Sequence, residues 1–305
     1  MACSLYLVAI YKGSSHALEQ FLGFSYGWAA LVIFVIVTTY TLLGGFRSVV
    51  LTDSVQGVLM AVGAVGIMVA VVQRGGGATL ILERLEAVDP RLVSWEGKLP
   101  LGAILGLGLA GGLKLLVDPR QVSRLYGLKD ERALRTARIV APLLITLTYF
   151  CLLPLGAFAH SIIPENAISD SDMVTPYLLG RAEIMGPVAS SFFLLVLLAA
   201  AMSSLDSVLL VAASAVTRDL LILDEEDPTA INKTRIWVVL VSLASMLLAL
   251  NPFADIVEIT AFSGSLFAAC FMPTLVLGLY WQRGTAAASV ACVVVGSSTV
   301  TGWFL

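Results

Sequence analysis

The chain has 305 residues, 58% of them hydrophobic and only 13% charged, with a mean hydropathy of +0.94. A soluble domain averages roughly 25% charged residues, so a soluble fold is excluded and the chain belongs in lipid. The net charge of −3 offers no basic face for nucleic acid, and Cys3, Cys151, Cys270 and Cys292 stand singly in apolar stretches, which argues against disulfides and structural zinc.

A hydrocarbon core about 30 Å thick demands roughly 20 apolar residues per helix. On that rule the sequence predicts eight spans, near residues 26–46, 49–73, 99–117, 139–163, 184–217, 236–250, 254–281 and 285–305. Ahead of them, Met1 to Tyr11 is apolar but too short to cross, and it lacks the basic start and cleavage site of a signal peptide. It reads as the tail of a helix begun earlier, with Lys12 in the external loop that follows and His16 and His160 at loop edges. The segment Arg74 to Lys98 opens with Gly75-Gly76-Gly77 and continues as ATLILERLEAV, the pattern of an external amphipathic helix lying on the membrane face. Ile163 to Met185, with Pro164, Pro176 and four acidic residues, reads as a second external loop, and Leu223 to Pro228 as a solvated internal one. Alternate loops give one set with eleven Lys and Arg, including Arg47, Arg120, Arg124, Arg218 and Arg283, against six in the other. The richer set is assigned to the cytoplasm.

The segment with the most chemistry is Phe192 to Leu220, where Ser203, Ser204, Asp206 and Ser207 interrupt one apolar helix. Asp206 precedes Arg218 by twelve residues, about 18 Å at a rise of about 1.5 Å per residue. With Arg218 at the cytoplasmic edge, Asp206 lies past the midplane, where an unpaired carboxylate costs about 2.5 kcal/mol or more, so a partner is expected. Ala200, Ser203 and Ser207 share one helix face beside Asp206. Small residues alone would suit close helix packing; with Asp206 among them, the oxygens suit a hard cation.

Asp53 follows a Gly-Gly turn, and two readings stay open for it: a second intramembrane acid, or the N-cap of the next helix. In GAILGLGLAGGLKLLVDPRQVSR the apolar run is expected to break at Gly111-Gly112 and again at Asp118-Pro119, with Lys114 between. Broken helices of this kind bind solutes at the midplane of transporters. The competing reading has Lys114 snorkelling to the interface and Asp118-Pro119 starting a helix as cap and first residue. No nucleophile elbow, zinc-protease motif or phosphate loop is present, so an enzyme is not expected.

Three segments, YTLLGGFRSVVLTDSVQ, DPRQVSRLYGLKD and AAAMSSLDSVLLVAASAVTRDL, resemble the sodium:solute symporter family. The resemblance implies an all-α LeuT-type inverted-repeat transporter core. In it residues 1–73 end the first repeat, 99–281 form the second, 285–305 add a C-terminal helix, and the first two to three core helices are absent. It implies a sodium site formed by the backbone carbonyl of Ala200 and the hydroxyls of Ser203 and Ser204. A second cation site is implied at Asp53, Asp206 and Ser207, with Ser203 shared. Asp206 departs from the small polar residue of many relatives, which leaves sodium and proton both open there. The substrate positions align with Gly111 and Lys114; sugar-transporting members carry polar or aromatic residues there, so a sugar is not supported. The expectation is the larger part of a multi-pass cell-membrane symporter for a small organic solute, anionic in view of Lys114, with sodium as coupling ion and no other cofactor. The 305 residues alone are not expected to transport. A membrane sensor with a symporter-like body is the alternative.

Overall fold

Backbone amides in lipid must find partners within their own segment, and for single spans only the helix achieves this. The computed structural model describes residues 2–94, 97, 99–164, 167–168, 170–221 and 229–304, apart from the side chains at 46, 47 and 107. Lys98 and the run from Leu223 to Pro228 lie outside the described residues. Helices and short connections make up the rest, with no strand among the described residues.

The chain opens with α1 (Ala2–Leu22) and continues into α2 (Tyr26–Gly45) and α3 (Ser48–Arg74). Gly45 separates the latter two with φ 62° and ψ −175°, a backbone conformation open only to glycine. The short amphipathic α4 (Ala78–Val88) turns Ile81 and Leu85 inward. Next come α5 (Leu101–Val117) and α6 (Pro119–Tyr126), bent by 41° at Asp118, then α7 (Glu131–His160), α8 (Pro187–Ala215), α9 (Ala230–Ala249), α10 (Ile256–Tyr280) and α11 (Ala286–Phe304). Among the described residues seven helices are long and apolar enough to cross a membrane, and the bent α5–α6 pair passes the same test when taken as one broken span.

At the centre, α8 packs against α1, α2, α3 and α9. One buried cluster joins Leu7 and Tyr11 of α1, Ile33 and Val37 of α2, Leu205 and Leu209 of α8, Val238 of α9 and Ile259 of α10. A second joins Ile67 and Val71 of α3 to Leu155, Leu178, Phe193 and Val196. Lipid tails are as apolar as these side chains, so close packing and hydrogen bonds hold the helices together. The α3–α8 approach is tight enough that a Cβ on Gly63 would lie 2.4 Å from a methyl of Val196.

Three sequence expectations are corrected. Lys12 and His16 are not in a loop, because α1 continues through them to Leu22. The Lys12 ammonium is buried, 2.5 Å from Asp172 and donating to the Ala254 carbonyl at 3.2 Å, so its charge is compensated by other segments and does not end the helix. Gly111-Gly112 does not break α5, since glycine is tolerated within an apolar helix in lipid. Arg120 and Arg124 are not loop cations but lie on α6; without them and Lys12 the positive bias keeps its direction. The four cysteines are free.

Candidate functional site

Two features of α8 fix the site. Its face of small residues lets α3 and α2 approach, and the sequence Ser203-Ser204-Leu205-Asp206-Ser207 delivers oxygens into that interface. Asp206 is fully buried. Its Oδ2 accepts a hydrogen bond from the Tyr40 hydroxyl at 2.8 Å, and its Oδ1 accepts from the Ser207 amide at 2.5 Å and the Ser207 hydroxyl at 3.3 Å. Tyr40 also donates to the Met202 carbonyl at 3.0 Å, which fixes the phenol between two turns of α8. The partner that a midplane carboxylate requires is thus Tyr40, together with the local backbone.

Asp53 does not cap a helix. The helix after the Gly45 turn begins at Ser48, so Asp53 falls inside it and points across to α8. Its Oδ1 accepts from the Ser203 hydroxyl at 2.5 Å, its Oδ2 accepts from the Ser207 hydroxyl at 3.2 Å, and Arg124 of α6 forms a salt bridge to the same Oδ2. Arg124 also donates to the Ser207 hydroxyl at 2.6 Å. Asp53, Ser203, Asp206 and Ser207 therefore form one connected polar group between α3 and α8, with Arg124 closing it from α6.

On the open side of this group lies a cavity of about 590 Å³, bordered by Ser203, Ser204, Ser207, Gly111, Gly112, Lys114, Arg120, Arg124 and Tyr6 among others. Ala200 stands one turn before Ser203 and Ser204 on the same helix, half-buried. Lys114 does not snorkel outward. Its stem lies against Gly264 of α10, and its ammonium sits 4.9 Å from the Tyr6 ring centroid. The Arg120 guanidinium lies 4.3 Å from the same centroid, so one aromatic ring carries two cations. Arg120 is paired with Asp118, whose carboxylate also accepts from the Arg120 amide at 3.0 Å and caps α6 ahead of Pro119. That part of the helix-start reading of Asp118-Pro119 holds. Among the described residues no carboxylate pairs with Lys114.

Tyr6, Tyr40, Arg120 and Arg124 were not among the expected site residues. The arginines stand in a charged stretch that reads as a loop. The tyrosines carry no formal charge to betray them inside an apolar run.

The sequence profile of the sodium:solute symporter family matches residues 1–296. The chain belongs to that family. Among its relatives are the sodium/pantothenate symporter of Haemophilus influenzae, 28% identical over 93% of this chain and 60% of the relative, and the osmoregulated proline transporter OpuE of Bacillus subtilis, 29% identical over 93% and 58%. This chain thus spans about 60% of the length of the curated symporters it matches. A Na+-coupled sialic acid symporter, solved in a substrate-bound outward-open state, superposes with a TM-score of 0.72 at 18% identity, covering 98% of this chain and 71% of that one. The fold is accordingly that of the LeuT-type transporters, and the protein is a multi-pass protein of the plasma membrane. Its named relatives are transporters rather than enzymes.

Proposed function

We propose that this family member works in sodium-coupled symport of a small organic anion or zwitterion. Ala200, Ser203 and Ser204 contribute to the sodium site, and Asp53, Asp206 and Ser207 form a second cation site that shares Ser203. Residues 1–73 belong to the first repeat and 99–281 to the second. Sodium binding stabilises the outward-open state that accepts solute, and rocking of the helix bundle releases both inward.

The observation that carries this reading is the shared cavity: Ser203, Ser204 and Lys114 all border it, so ion and solute would share one space. Coupling requires that one ligand change the other's affinity, and adjacency supplies a direct route. The charge balance supports an anionic solute. Arg120 is neutralised by Asp118 and Arg124 by Asp53, whereas among the described residues Lys114 forms no salt bridge and lies over the face of Tyr6. The solutes named for the relatives, pantothenate and proline, both carry a carboxylate.

The test is uptake of a panel of labelled carboxylates and matched neutral amides into membrane vesicles bearing the full-length protein. Uptake of a carboxylate should stop when potassium replaces sodium, and Lys114→Gln should raise KM for it at least tenfold, about 1.4 kcal/mol. Uptake that ignores the sodium gradient would end the proposal.

A further inference from the structure

Arg124 is bound where the second cation would bind. We propose that its guanidinium is the resident cation of the Asp53–Ser203–Ser207 group, a tethered competitor that keeps sodium out of that site and limits the protein to one sodium at the Ser203–Ser204 pair. The inference rests on the symport reading for the identity of the competing ion.

Asp53 and Ser207, the carboxylate and hydroxyl that a small cation would share at that site, are both already engaged by Arg124. Asp53 Oδ1 holds the Ser203 hydroxyl at 2.5 Å, and Asp53 Oδ2 holds both Arg124 and the Ser207 hydroxyl. The Ser207 oxygen accepts from Arg124 at 2.6 Å. The guanidinium nitrogen thus contacts two of the ligands directly and is linked to the third, Ser203, through the shared carboxylate. A sodium ion at this position would meet a fixed positive charge at contact distance, where Coulomb repulsion is strongest.

The tether is also releasable. Asp53 is nearly buried, with 10% of its side chain exposed, whereas Arg124 is 39% exposed and borders the solute cavity. It rides on α6, an eight-residue helix that follows α5 after the bend at Asp118 and packs on α8. Swinging α6 away would withdraw the guanidinium without unfolding α3 or α8. Asp206 cannot take over the role of Asp53, because its oxygens are held by Tyr40 and the Ser207 amide.

The experiment counts sodium ions bound per molecule of purified full-length protein, with 22Na+ as probe. The wild type should bind one and Arg124→Gln two, while Arg124→Lys, which keeps a cation, should stay at one. The double variant Arg124→Gln/Asp53→Asn should return to one. Two sodium ions on the wild type would overturn the proposal even if no variant could be purified, as would an unchanged count in a folded Arg124→Gln protein. A wild type that binds none while Arg124→Gln binds one would support the tethered cation and refute the sodium site at Ser203 and Ser204. No sodium on either protein would refute both.

Discussion

Replacing Tyr40 with Phe tests whether Asp206 is held as a buried carboxylate by a neighbouring helix. The substitution keeps the ring and removes one oxygen, which donates to Asp206 at 2.8 Å and to the Met202 carbonyl at 3.0 Å. No water can replace it at Asp206, whose side chain is fully buried. A hydrogen bond to a charged group contributes about 1.5–3 kcal/mol in water-soluble proteins, whereas interhelical bonds in a membrane protein average about 0.6 kcal/mol with a maximum near 1.7. The expected loss is therefore about 1–2 kcal/mol, measured as equilibrium unfolding in mixed micelles. Asp206→Asn is nearly isosteric and leaves an acceptor for the Ser207 amide, so it removes charge without removing shape. In that background Tyr40→Phe should cost about 1 kcal/mol less, the difference between bonds to charged and neutral acceptors. A Tyr40→Phe effect equal in both backgrounds would mean that the phenol serves only Met202 and that Asp206 is stabilised without it.

Lys12→Met should destabilise the protein by about 3–5 kcal/mol, since it leaves Asp172 buried without its counter-ion. Pairing it with Asp172→Leu should recover most of the loss, and an unfolding midpoint that stays low in the double variant would count against the ion pair as the cause. Gly63→Ala forces a methyl against Val196 and should cost about 1–3 kcal/mol by overpacking. Val196→Ala should partly rescue Gly63→Ala, and thermal stability of the two single variants and the double variant decides it.

The spans were legible because each is a long apolar run, and a lipid solvent leaves the backbone no choice but helix. Asp206 was legible for the complementary reason, a charge that lipid penalises in the middle of such a run. Asp53 was ambiguous because an acid shortly after a turn serves equally well as a cap, and only its contact with Ser203 on another helix decides between the roles. Arg124 lies 71 positions from Asp53, and nothing local distinguishes an arginine folded back into the bundle from one left in water. Lys12 misled in the same way. A lone cation normally ends a span, but here Asp172, Asp255 and the Ala254 carbonyl, all distant in sequence, gather around it. Gly111-Gly112 looked like a break because glycine interrupts helices in water, a preference that weakens in lipid.

If Ser203 and Ser204 bind the coupling ion, the sodium affinity of the purified full-length protein depends on both hydroxyls. Ser203→Ala and Ser204→Ala should each weaken sodium binding at least tenfold, about 1.4 kcal/mol, with the protein still folded. Sodium binding at wild-type affinity in either folded variant would mean that the ion binds elsewhere.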